Sequence, residues 1–366
     1  MRLIYLSPVP WASFAQRPHK FVQWYHERTG EPVIWVDPYP TRLPQWADLG
    51  RLRSSPGLPQ LNSTPAWITI LKPGALPIEP LPGSGWINEK LWRRLFQEID
   101  GFVRDAQILL VIGKPSILAI KLLERFKGCP SLYDAMDEFP AFYSGFSRFS
   151  MARRERSLVG SVDRIWVSSS ALQSRWSQHR SDVALVRNAL DPTVIPALSQ
   201  KTIRSTKKIF GYVGTIASWF DWDWVCALAG ARLDDEIRLI GPVFSSPNKD
   251  LPPNVVLLPP CSHDAALLAM KEFDVGLIPF IRNMLTNSVD PIKYYEYKAL
   301  GLPVISTNFG EMSFHSVNHG VFISQSLDDV VALADAALSV DFKAVDVAAF
   351  RLENSWSTRF DAAQLI

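Results

Sequence analysis

The stretch Asp290-Pro-Ile-Lys-Tyr-Tyr-Glu-Tyr-Lys-Ala-Leu-Gly-Leu-Pro-Val-Ile-Ser306 decides the fold. It reads as a short helix feeding a buried strand. Asp290 suits an N-cap, and Pro291 suits the first helical position, where no intrahelical bond requires its N–H. Gly301 supplies a left-handed residue to end the helix, and Pro303 keeps it from continuing. Lys293 is the anomaly. A cation in the first turn meets the positive end of the macrodipole, an unfavourable placement by roughly 0.3–1 kcal/mol. An anion held at the helix N-terminus would reverse that sign. Glu296 falls one turn later on the same face. A phosphate-facing lysine with a carboxylate behind it suits a nucleoside diphosphate whose ribose diol needs an acceptor. The structural alternative is an exposed ion pair worth a few tenths of a kcal/mol.

Outward from this stretch, apolar runs alternate with helical patterns over the whole chain, as in parallel sheets covered on both faces. Strands are expected at 3–7, 33–36, 67–71, 108–112, 131–134, 164–168 and 183–186, and again at 209–213, 236–240, 255–258, 275–278, 303–306 and 321–323. Between them helices are expected, among others, at 19–27, 89–103, 116–126, 151–160, 171–178, 222–231, 263–271, 291–300 and 327–338. The pattern divides the chain into a first α/β domain over 1–190, a linker over 191–207, a second α/β domain over 208–347 and a final helix over 348–366. Residues 39–85, rich in Pro, Gly and Ser, read as long loops around one strand.

The run Pro-x-Lys-x-x-Glu-Tyr-x-Ala-x-Gly-x-Pro-Val-Ile resembles the donor-site helix of GT-B-fold glycosyltransferases that use nucleotide sugars. Phe-Gly-Tyr-Val-Gly-Thr at 210–215, Asn-Ala-Leu-Asp at 188–191 and Phe-Asp-Val-Gly-Leu-Ile-Pro-Phe at 273–280 are similar to family segments in the same order. The resemblance implies two Rossmann-like doubly wound domains facing a central cleft, with a C-terminal helix returning to the N-terminal domain. It also implies a nucleotide-sugar donor, of UDP or GDP type, a glycan or lipid-linked acceptor, and a role in cell-surface polysaccharide synthesis. Many retaining members carry a second glutamate seven positions before the one matching Glu296. Here that position is Val289, beside Asp290, so retaining and inverting routes both stay open.

Composition bounds these readings. A chain of 366 residues with 47% hydrophobic and 20% charged residues is ordinary for a globular protein of two domains. The longest apolar runs fall far short of a membrane span, and Met1 to Ser7 reads as a strand rather than a leader. Cys129, Cys226 and Cys261 show neither metal-ligand spacing nor a disulfide framework, so a reducing cytoplasm is expected. The net charge of +2 hides an asymmetry: residues 1–190 hold 24 Lys and Arg against 16 Asp and Glu, whereas residues 191–366 hold 14 against 20. Basic residues gather between Arg148 and Arg187. Such a lobe suits an anionic acceptor or an anionic membrane face, so a peripheral location on the inner face of the membrane is one expectation; a solvated helix face is the plain alternative. No nucleic-acid partner is implied.

Ligands of open α/β sheets sit beyond the C-terminal strand ends. Gly214 and Thr215 follow one strand, and there a glycine admits a diphosphate close to the backbone. Arg282, Asn283, Thr286, Asn287 and Ser288 precede the decisive helix and offer donors to phosphate or sugar hydroxyls. The loop of Leu258, Pro260 and His263 occupies the place where family members hold the nucleobase; on its own pattern His263 reads as a helix-start residue. In the first domain, Tyr-Asp-Ala-Met-Asp-Glu-Phe at 133–139 carries three carboxylates after a strand. Asp137 is the preferred general base, with Asp134 assigned to the strand end and Glu138 pointing elsewhere but kept as a candidate. Gln16, Arg17 and His19 lie after the first strand, and His19 could bind a phosphate or act on the acceptor.

No catalytic metal or other cofactor is expected. The letters Asp221-Trp-Asp223 begin a helix that Asp221 caps, and no Walker loop is present. An epimerase of the same fold would need several acids and histidines around one sugar, which the sequence does not assemble. A non-catalytic two-lobed sugar-binding protein is the remaining alternative.

Overall fold

A computed structural model of the chain describes residues 1–44, 64–104, 106–197, 206–247, 249–316 and 318–366. The chain forms two compact units: Met1–Ser168 with Leu172–Val186, and Ser169–Ala171 with Arg187–Ile366. The change of unit falls at Val186–Arg187, against the expected 190. Residues 198–205 of the expected linker, and 45–63 of the expected loop region, lie outside the described residues.

The first unit holds seven strands: β1 (Arg2–Leu6), β2 (Val33–Val36), β3 (Ile68–Leu71), β4 (Ile108–Ile112), β5 (Ser131–Ala135), β6 (Arg164–Val167) and β7 (Val183–Leu185). All neighbours pair in parallel, in the order β3-β2-β1-β4-β5-β6-β7. The second holds β8 (Ile209–Val213), β9 (Glu236–Ile240), β10 (Val255–Leu258), β11 (Val275–Ile278), β12 (Val304–Thr307) and β13 (Val321–Ser324), parallel in the order β10-β9-β8-β11-β12-β13. Both sheets reverse strand order once, between β1 and β4 and between β8 and β11. Those are the topological switch points of doubly wound folds, where ligands bind. Burial on both faces explains why strands such as Ile-Leu-Leu-Val-Ile in β4 are apolar without alternation.

One glycine lets the decisive helix lie on its sheet, and a second, paired with it, admits a neighbouring ring. Gly211 of β8 and Gly276 of β11 are register partners. A Cβ at Gly276 would lie 2.4 Å from the Tyr297 ring, and one at Gly211 would lie 2.2 Å from the Phe273 ring. The rings take the space that side chains would fill. Tyr297 then accepts the Val213 N–H at 3.2 Å, a strand-end donor that β11 does not pair. Gly276→Ala should therefore overpack this contact and cost about 1–3 kcal/mol. Urea unfolding should show a lower midpoint at unchanged slope.

Several element boundaries differ from expectation. The helix expected over 89–103 is two, Ser84–Leu91 and Arg93–Val103, broken at Trp92, whose side chain is fully buried. The last helix is also two, Ala344–Glu353 and Trp356–Ala362. Ser355 caps the second through the Thr358 N–H and bridges to Leu190 within the same unit. The decisive helix runs over Ile292–Ala299, with Pro291 rather than Asp290 at its N-cap. Gly301 does adopt the left-handed conformation, at φ 68°.

Candidate functional site

Asp290 leaves the cap because it is engaged elsewhere. Its carboxylate accepts the Asn188 N–H at 2.7 Å and the Tyr295 hydroxyl at 3.0 Å, while the Asn188 amide donates to the Asp290 carbonyl at 2.7 Å. Both of the motif segments 188–191 and 290–306 thus serve one joint. A carboxylate so occupied acts as a clamp and leaves the position of Val289 without an acid.

On the next turn, Lys293 Nζ donates to Glu296 Oε2 at 2.6 Å, and His263 Nε2 lies 2.8 Å from Glu296 Oε1. The i,i+3 pair does form, but Glu296 is only 5% exposed, so it is no loose surface pair. Burial alone would raise the Glu296 carboxyl; the Lys293 charge and the two hydrogen bonds outweigh it and pull the group down to about 2. The result is a carboxylate fixed in the ionised, acceptor form. Because its folded value lies below its ordinary one near 4.5, the stability it contributes is present above pH 4.5 and is lost as pH falls toward 2. The contribution is on the order of 3 kcal/mol. The stability gap between the parent and Glu296→Gln should accordingly narrow as urea unfolding is followed from pH 6 down to pH 3.

His263 reaches this carboxylate from the helix His263–Met270, which Ser262 caps through the Ala265 N–H. The preceding segment 257–262, including Leu258 at the end of β10 and Pro260, is exposed, so an apolar ledge leads directly to the His263–Glu296 contact. The pattern of the sequence marked His263 as a helix start, which it is; that it also bonds the donor-motif glutamate is visible only in three dimensions.

At the end of β8, Gly214 has φ 154° and donates its N–H to Ile240 at 2.9 Å. Gly241, with φ 144°, lets the two strand ends meet: a Cβ there would lie 2.0 Å from the Gly214 carbonyl. Tyr212 braces the turn by donating to the Thr215 carbonyl at 3.0 Å. Among the expected phosphate donors, Thr286 turns inward. Its hydroxyl donates to Ile281 at 2.6 Å and accepts the Asn283 N–H at 2.9 Å, and the residue is 1% exposed. Ser288 is buried too, whereas Arg282, Asn283 and Asn287 face solvent. Thr286 therefore builds the loop with Asn283, Ser288 is buried within it, and the side chains of Arg282, Asn283 and Asn287 are exposed. Asp221 caps the helix Trp222–Ala231 through the Trp224 N–H at 2.9 Å, as its position required.

In the first unit Asp134 is fully buried in β5 and pairs with Arg17 through contacts of 2.7–3.1 Å. Arg17 also donates to the Val186 carbonyl at 2.6 Å. Asp137, two residues past the end of β5, is half-buried. Burial pushes its carboxyl up to about 7; Arg17 opposes this and the Asp134 charge reinforces it. That value is where a general base near neutral pH should sit. Glu138 is instead paired with Arg175, which also holds the buried Glu155 at 3.0 Å.

His19 is engaged on both ring nitrogens. Its Nδ1 accepts the Gln16 N–H at 3.2 Å, its Nε2 lies 3.1 Å from the Trp11 carbonyl, and its ring packs 4.7 Å from Trp35. Burial lowers its pKa, and neither nitrogen is left for a substrate proton.

No protein-family model matches the chain. A curated relative, the "Putative teichuronic acid biosynthesis glycosyltransferase TuaH" of Bacillus subtilis (strain 168), is 25% identical over 205 residues, half of this chain and 51% of the relative. The chain thus spans about half the length of the curated relative it matches. Among solved structures, sucrose-phosphate synthase from Thermosynechococcus elongatus aligns with TM-score 0.65 at 13% identity, over 100% of this chain and 95% of that one. The E. coli trehalose-6-phosphate structure bound with UDP-2-fluoro glucose aligns with TM-score 0.66 at 11% identity, over the whole of both chains. Both units are Rossmann-like, and the chain has the GT-B fold. The fold likeness agrees with the GT-B fold that the 290–306 motif implies.

Proposed function

We propose that the chain is a glycosyltransferase that moves a hexose-type sugar from a UDP- or GDP-sugar to a glycan or lipid-linked acceptor, in the synthesis of a cell-surface polysaccharide. The observation that carries this reading is the Glu296 carboxylate, buried, ionised and held between Lys293 and His263. A fixed anion of this kind accepts from both hydroxyls of a ribose, while Lys293 turns to the diphosphate. The exposed ledge 257–262 takes the base, and the turn at Gly214 and Thr215 adds backbone approach to the phosphates.

Asp137 in the first unit is assigned as the base that removes the acceptor hydroxyl proton. Its elevated pKa keeps it near the balance point between proton affinity and ionisation at neutral pH. The anionic leaving group is a nucleoside diphosphate whose charge Lys293 neutralises. The TuaH likeness, although partial, favours an acceptor of the cell surface.

A thermal-shift panel of UDP-, GDP-, ADP- and dTDP-sugars tests the donor class, because a ligand that binds the native state raises the melting temperature. One nucleotide series should raise it above the others. Equal shifts, or none, would count against a nucleotide-sugar donor.

A further inference from the structure

The helix Gly145–Val159 carries large apolar side chains on its exposed face as well as among the mixed residues of its buried one. Its buried side carries Met151, Leu158 and Val159 at helical spacing, as a core face requires. The opposite side should then be polar. Instead it presents Phe146 and Phe149, 51% and 61% exposed, followed on the same stripe by the exposed Arg153 and Arg156. Spacings of three and four residues place these four on one face. Phe142, 51% exposed in the turn Phe139–Phe142, extends the aromatic row. Unlike Arg154, Arg175 and Arg180, which form ion pairs, Arg153 and Arg156 have no partner among the described residues.

A second apolar element is joined to the first. Glu79, fully buried, pairs with Arg154 of this helix, takes the Ile117 N–H at 3.1 Å on its carboxylate, and accepts the Ser84 hydroxyl at 2.9 Å on its carbonyl. It thereby ties the Phe-bearing helix to the helix Ser84–Leu91, which exposes Trp86 at 78%, Ile87 and Leu91. Lys90 and Arg93 are exposed beside them. Globular surfaces rarely show this many large apolar side chains beside cations unless something covers them.

We propose that this face of the first unit, centred on Phe146, Phe149, Arg153 and Arg156, docks on an anionic lipid bilayer. Aromatic side chains at such a surface bury at the headgroup boundary, and arginines beside them pair with lipid phosphates. The excess of cations over anions in residues 1–190 supplies the complementary long-range charge. Among the described residues no helix is long and apolar enough to cross a membrane, so the contact is one of lying on the surface. The inference does not depend on the reaction proposed above, since it concerns a surface and not the donor site.

The test is co-sedimentation of the full chain with vesicles of phosphatidylcholine alone and of phosphatidylcholine with phosphatidylglycerol. Binding should be confined to the anionic vesicles and should weaken between 0.1 and 1 M salt, as the Debye length shrinks from about 10 to 3 Å. Arg153→Gln with Arg156→Gln should lower partitioning roughly 30-fold, at about fivefold for each charge. Phe146→Ser with Phe149→Ser, exposed positions whose replacement leaves the core intact, should lower it by at least as much while keeping the residual salt dependence. Equal binding to both vesicle types, binding to neither, or parent-like binding by both variants would overturn the proposal. So would a parent chain that is dimeric and made monomeric by the Phe variant, because a second copy would then be the occupant.

Discussion

Glu296→Ala is expected to weaken binding of the cognate nucleoside diphosphate by one to two orders of magnitude. Hydrogen bonds to charged groups are worth roughly 1.5–3 kcal/mol, and each 1.4 kcal/mol is tenfold in affinity. Little of the side chain's orientation is left to lose on binding, since it is buried and His263 keeps one of its oxygens when Lys293 turns to the diphosphate. Lys293→Ala should give a loss of the same size, through the diphosphate rather than the ribose. The two variants should differ in salt dependence, steep for contacts that Lys293 makes and shallow for those of Glu296. Equilibrium dialysis with labelled nucleotide at two ionic strengths resolves both effects. Parent-like binding in both variants would place the donor elsewhere.

Asp137→Asn should lower turnover by about 10²–10⁴-fold at saturating donor, with donor affinity unchanged. The same change should stabilise the protein at neutral and alkaline pH. The folded carboxyl sits near 7, above its usual value near 3.8, so the fold disfavours the ionised form. Below pH 4 the group is neutral folded or unfolded and has no effect. As pH rises from 4 to 7 the unfolded chain ionises first, and native stability falls. Asn removes that loss, a gain of about 1–2 kcal/mol above pH 7 once the partly open position is allowed for. Activity lost where stability is gained is the mark of a residue kept for function. Asp134→Asn should behave in the opposite way, destabilising by about 3–5 kcal/mol because it removes the buried carboxylate that accepts from the Arg17 guanidinium. Glu138→Gln should cost little turnover. A near-normal rate for Asp137→Asn, with the stability profile unchanged, would remove it from the reaction.

The fold was legible because its strands are short, apolar and bounded by glycine and proline, so β8, β11 and the helix Trp222–Ala231 fall where the pattern puts them. Less legible were features set by tertiary contact. Trp92 breaks a helix whose periodicity runs through it, since the ring is taken fully into the core. Asp290 has the chemistry of a cap, yet Asn188, about a hundred residues earlier, claims its carboxylate. At the site, Lys293 and Glu296 could be paired from helical spacing alone. His263 could not, because its link to Glu296 spans β11 and the loop beyond it. Thr286 and Ser288 looked like donors to a ligand on residue type, and only the structure shows that both are buried and that Thr286 bonds within the loop. The Phe146–Phe149 stripe was hidden in sequence because apolar and charged residues occur on both helix faces and periodicity alone cannot say which is covered.

A sugar nucleotide is expected to bind at the N-terminal end of the helix Ile292–Ala299. The most direct measurement is a crystal structure of the chain soaked with the sugar nucleotide that the thermal-shift panel selects. The ribose hydroxyls should lie on Glu296, the diphosphate against Lys293 and the base over residues 257–262. A nucleotide bound elsewhere, with the Lys293–Glu296–His263 cluster untouched, would contradict it.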